Sequence, residues 1–96
     1  MTPEVLDILS AVEELSKRLK EPVSEEMRAG GWREESALLI AGSLDKFATK
    51  IRLIDELPPM SERPWDMPRG LDSHGVHGGG PFDDLLALGH KLRQAP

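Results

Sequence analysis

Residues 34–57, EESALLIAGSLDKFATKIRLIDEL, set Ala37, Ile40, Leu44, Phe47, Ile51 and Ile54 at alternating steps of three and four. On a helix with 3.6 residues per turn that spacing draws one apolar seam, so the stretch predicts a long amphipathic helix. Val5, Ile8, Val12, Leu15 and Leu19 repeat the pattern nearer the N-terminus. Two such seams joined by a short connector constrain the chain to an all-α fold. The expected frame is an antiparallel helical hairpin of about 3–20 and 34–57.

The first helix carries its own punctuation. Thr2 is a good N-cap, Pro3 suits the first helical position, and Glu4 and Asp7 sit near the positive end of the dipole. Glu13 with Lys17 and Glu14 with Arg18 are i,i+4 pairs in the favourable order. Lys17, Arg18 and Lys20 complement the other end, and Pro22 stops the helix near Lys20.

In the connector, Ser24 is placed to cap a short turn through Glu25, Glu26 and Met27, with Gly30 as its left-handed terminator. Gly30-Gly31 supplies the bend. Trp32, just before the central helix, is expected to pack onto its next turn. Gly42-Ser43 interrupts the central helix, which calls for a closely packed neighbour or a bend. Pro58-Pro59 is expected to end it.

Residues 58–81, PPMSERPWDMPRGLDSHGVHGGGP, change character: five prolines and five glycines in 24 residues are expected to forbid helix and central strand alike. They read as a long extended or mobile strap. A shorter third helix follows at about 82–93, with Leu85, Leu88 and Leu92 at helical spacing and Phe82 and Leu86 beside them. Asp83 and Asp84 lie at its positive end, and Lys91 and Arg93 at its negative end. Gly89 weakens it, so it needs docking to persist.

Leu6, Leu9, Leu38, Leu39, Leu53 and Leu57 fall outside the narrow seams. A two-helix hairpin leaves several of them wet, so further neighbours are expected. The third helix, a second copy of the chain or another protein would each serve, and the heptad seams suit a homo-oligomer.

Bulk properties exclude several functions. A length of 96 residues makes one small domain, spanning 1–96. A net charge of −5 argues against a nucleic-acid surface, which is normally basic. The absence of cysteine removes disulfides, thiol nucleophiles and thiolate metal sites. Acidic residues at positions 4 and 7 oppose a signal peptide, and no apolar run reaches spanning length. No membrane and a cytoplasmic location are the expectation.

Candidate sites concentrate in the strap. Residues 62–71 hold Arg63, Trp65, Met67, Arg69 and Leu71, with Pro64 and Pro68 stiffening the segment. Trp and Arg are enriched at binding hot spots, so these five are the candidate partner-binding residues. The competing reading is that Trp65 and Met67 fold back over the protein's own helices.

Asp72, His74 and His77 form the one metal-like cluster, a donor set for zinc or nickel with His90 as a possible fourth ligand. Ordinary loop histidines are the competing reading. Asp72-Ser73-His74 has the residue types of a hydrolytic triad, but adjacent residues do not reach its geometry. Gly78-Gly79-Gly80 lacks the strand and the Lys-Ser/Thr pair of a phosphate loop, and Asp83 and Asp84 oppose an anion, so it reads as a hinge or N-cap.

The functional expectation is a non-enzymatic protein–protein interaction module: an adaptor, assembly factor or small regulator. A metal-binding protein using Asp72, His74 and His77 is the first alternative. A small enzyme subunit completed by another chain is the second.

Overall fold

The computed structural model describes residues 1–63 and 67–95, with backbone alone for 67–69. The chain is all-α, and no strand occurs among the described residues. The helices are α1 (Pro3–Leu19), α2 (Glu25–Ala29), α3 (Glu34–Ile54), α4 (Met67–Ser73) and α5 (Phe82–Gln94), with one 3₁₀ turn at Met60–Glu62.

Side-chain oxygens start the first two helices. Thr2 Oγ1 accepts from the Val5 N–H at 3.2 Å, and Ser24 Oγ accepts from the Met27 N–H at 3.2 Å. At the head of α3, Ser36 Oγ accepts the Arg33 N–H at 3.2 Å. The three long helices match their sequence expectations closely. α3, however, ends at Ile54, before the prolines. Asp55 takes a left-handed conformation (φ 60°) and its N–H bonds to the Ile51 carbonyl at 2.8 Å. Aspartate tolerates that region, so the helix has already turned when Pro58 arrives.

Two other expectations are corrected. Gly30 is right-handed (φ −84°), whereas Gly31 holds the left-handed position (φ 97°). The reason is the termination motif of α2: the Trp32 N–H bonds back to the Met27 carbonyl at 3.0 Å and the Gly31 N–H to that of Arg28 at 3.0 Å. Those two bonds make a Schellman motif, in which the residue after the cap is left-handed.

The strap is also not free of helix, since it contains the 3₁₀ turn and α4. Pro68 falls in the first turn of α4, where the missing N–H has no helical partner to lose. Gly70 costs roughly 1 kcal/mol there. Burial of Leu71 and packing of α4 on α5 offset it. The far end closes by a second Schellman motif, from the Val76 N–H to the Leu71 carbonyl at 2.9 Å and from the Gly75 N–H to Asp72 at 3.0 Å, with Gly75 left-handed (φ 76°).

The core is built mainly from α1 and α3. Val5, Ile8, Val12, Leu15 and Leu19 of the first seam are all buried, as are Ala37, Ile40, Leu44, Phe47 and Ile51 of the second. Ile54, the last residue of the second seam, is exposed. Leu85, Leu88 and Leu92 bring α5 onto α1, and Leu9 is buried with them in the same core.

A polar contact with a buried member crosses the α1–α3 seam. Buried Ser16 donates to Asp45 Oδ1 at 2.5 Å, and Asp45 Oδ2 meets Lys20 Nζ at 2.6 Å. A one-turn slip of α1 along α3 would strand the Ser16 hydroxyl, at a cost of roughly 1–3 kcal/mol, so this contact helps to set the register.

Lys20 and then Ser16 hydrogen-bond the Asp45 carboxylate and hold its pKa below the ordinary 3.8, outweighing the partial burial that raises it. A depressed folded-state pKa gives stability that is complete above the unfolded value and is lost as pH falls through the folded one. Thermal midpoints of the wild type should therefore drop on acidification below that ordinary value. Asp45→Asn should be less stable at neutral pH and show a flatter acid limb. Parallel acid limbs in the two proteins would contradict this assignment.

Candidate functional site

Two of the five strap candidates serve the fold itself. Arg63 is only 8% exposed. Its Nε donates to the Pro58 carbonyl at 2.7 Å, and its Nη1 to the carbonyls of Leu92 at 3.0 Å and Ala95 at 2.8 Å. It thus caps the end of α5 with a positive charge from far away in sequence. Leu71 is buried in the core cluster. Neither presents surface to a partner in this conformation. Trp65 lies outside the described residues, as do the side chains of Met67 and Arg69.

The glycine-rich loop is pinned, not splayed. The His77 N–H donates to the Gly30 carbonyl at 2.8 Å, and Trp32 Nε1 donates to the Gly79 carbonyl at 3.0 Å. A Cβ added at Gly30 would overlap the Gly78 carbonyl, and one at Gly31 would overlap that of Gly75. Glycines on both segments, Gly30 and Gly31 on one and Gly79 on the other, allow the two backbones to touch. Trp32, 1% exposed, is the bolt of this clasp as well as a core residue.

Asp72, His74 and His77 all point to solvent, as does His90. Among the described residues no group of three histidine, aspartate or glutamate side chains is placed to hold a metal ion. The loop backbone of residue 77 is used by the clasp, while its imidazole stays exposed.

Between α1 and α5 runs an open groove of about 380 Å³, lined by Ala11, Leu15 and Leu88 and rimmed by Glu14, Arg18, Asp84 and Lys91. An ion pair from Arg18 to Asp84 at 2.7 Å crosses its rim. A short, shallow site of this kind offers no convergent polar groups to fix a reacting molecule.

The outer face of α3 is different. Leu38, Leu39 and Leu53 are 55%, 56% and 78% exposed. With Gly42 and Lys46 they occupy an arc of about 100° on the helix wheel, facing away from Ile40, Leu44, Phe47 and Ile51. Gly42 lies in this arc with nothing within 4 Å of the place a Cβ would take. Among the described residues, no packed neighbour is supplied at this mid-helix glycine.

Comparisons with family models, curated proteins and solved structures give no match. Function must be read from surface chemistry. The sequence already set Leu38, Leu39 and Leu53 apart as apolar residues beyond the seams, and the structure leaves them unburied. A single exposed leucine is ordinary, whereas several on one helix face mark a surface that gains by being covered. No helix among the described residues is long and apolar enough to cross a membrane.

Proposed function

We propose that the protein is a non-enzymatic protein–protein interaction module, an adaptor, assembly factor or small regulator, that binds through apolar helix surface. The observation that carries this reading is the exposure of Leu38, Leu39 and Leu53 on the face of α3 opposite its core. In this reading α1 and α3 form an antiparallel hairpin that acts as a rigid scaffold. Pairs such as Ser16 with Asp45 and Glu13 with Arg52, at 2.5 and 2.7 Å, support that arrangement. With Arg63 and Leu71 committed to the fold, Trp65, Met67 and Arg69 are the strap residues left to supplement the helix face.

Photo-crosslinking in cells tests it, with a photoreactive residue at exposed Ser43. Defined adducts that disappear on combining Leu38→Glu, Leu39→Glu and Leu53→Glu are expected, and Trp65→Ala should weaken them. The same adducts in the triple variant would overturn the reading. All three leucines are exposed, so the triple variant is expected to fold.

A further inference from the structure

We infer that the occupant of the outer face of α3 is a second copy of this chain, docked antiparallel across a two-fold axis between Gly42 and Lys46. This deepens the interaction reading above and rests on it. The argument starts from charge order along the face. Glu34 and Glu35 lie in the first turn of α3, and Lys46 and Lys50 lie in its C-terminal half, with Glu34 also paired to Arg28 and Lys50 to Glu62 at the helix surface. A parallel copy stacks like charges on like. An antiparallel copy carries the acidic end of each helix to the basic half of the other, so the face complements itself only through a two-fold.

Apolar order is compatible with the same axis. Leu38 and Leu39 stand toward one end and Leu53 toward the other, and reversal about that axis brings each cluster to within about one turn of the opposite one. With the axis between Gly42 and Lys46, the aliphatic stem of each Lys46 lies over the Gly42 of the other copy, and its ammonium reaches solvent past the rim. Glu35 then lies within one turn of Lys50 on the other copy. Among the described residues, no contact requires Gly42 to be glycine. A helix approaching closely at that point does.

A face contributed by one helix is smaller than the roughly 800 Å² per partner of a standard interface, so the dimer is expected to be of modest affinity and in rapid exchange. Its ion pairs also make it weaken with added salt.

Sedimentation velocity over a concentration series, micromolar to near-millimolar, tests the proposal. A reversible monomer–dimer equilibrium is expected, weakened at least about tenfold by Leu39→Glu with Leu53→Glu. Gly42→Leu should weaken it comparably. Because the chain lacks cysteine, orientation is read directly by mixing Leu39→Cys with Thr49→Cys protein under mild oxidation. Mixed 39–49 disulfides should outrun both like pairs.

A strictly monomeric wild type, a dimer indifferent to the leucine variants, or a preference for like disulfides would overturn the inference. In a monomeric protein, leucine-dependent cross-links to other proteins would leave the broader interaction reading standing, and their absence would remove that too.

Discussion

Arg63→Ala is expected to destabilise the protein by about 3–5 kcal/mol, because it leaves buried carbonyls without their charged donor and opens a void in the packed interior. The side chain ties two segments of chain through one guanidinium and three carbonyls: that of Pro58 at 2.7 Å, and those of Leu92 and Ala95 at 3.0 and 2.8 Å. Leu92 and Ala95 lie at the C-terminal end of α5, where the last carbonyls of a helix have no partner of their own and the dipole favours a cation. Truncation strands those carbonyls and opens a void beside Pro58, itself fully buried.

For a domain of this length the thermal midpoint should fall by well over about 10 °C. Arg63→Lys keeps the charge but replaces a planar fork with a point donor, so it should recover only part of the loss. Circular dichroism during thermal and urea unfolding measures both. Wild-type stability in Arg63→Ala would mean that the guanidinium does not hold the end of α5 in solution.

Arg63 also shows where sequence reading stops. Beside a tryptophan and two prolines it has the composition of a hot spot, and nothing local distinguishes a residue that faces a partner from one that reaches inward. Its acceptors in α5 are 29 and 32 residues away and are backbone carbonyls, which every residue carries. Side-chain periodicity, by contrast, is a local property. It placed α1, α3 and α5 to within a few residues and identified most of their large buried side chains, while missing the small buried residues Ser16, Ser36, Ala41, Ala48 and Gly89 and including Ile54, which is exposed.

Caps are local too, and Thr2 and Ser24 act as their residue types suggest. Leu38, Leu39 and Leu53 were legible as surplus to the seams, but whether α5 would cover them depended on the path of the strap, which local spacing does not encode. α4 was missed because Pro68 and Gly70 were counted as breakers without regard to position. The Gly75-Val76 pair that closes the helix was the available signal.

The two glycines of the connector give the second large effect. Gly31→Ala is expected to cost about 2–4 kcal/mol, from strain at a left-handed position and from the hydrogen bonds lost when the clasp parts. Its φ of 97° is one that side-chain-bearing residues rarely adopt. The added methyl would also overlap the Gly75 carbonyl, which belongs to backbone and cannot swing aside. The loop must therefore lift, breaking the bonds from the His77 N–H to Gly30 and from Trp32 Nε1 to Gly79.

Gly42→Ala is the control: the same chemical change at an exposed helical position should raise monomer stability by about 0.5–1 kcal/mol. The pair separates a demand for glycine made by the fold from a mere presence of glycine. Fluorescence in a Trp65→Phe background adds a second readout, because Trp32 alone then emits. A red shift in Gly31→Ala, in native buffer and before unfolding, would show that the indole has been released toward water and that the clasp, not helix α2 alone, bears the strain. A stability loss without that shift would place the cost in the left-handed turn. Wild-type stability would mean that residues 30–31 and 75–80 are not in contact at all.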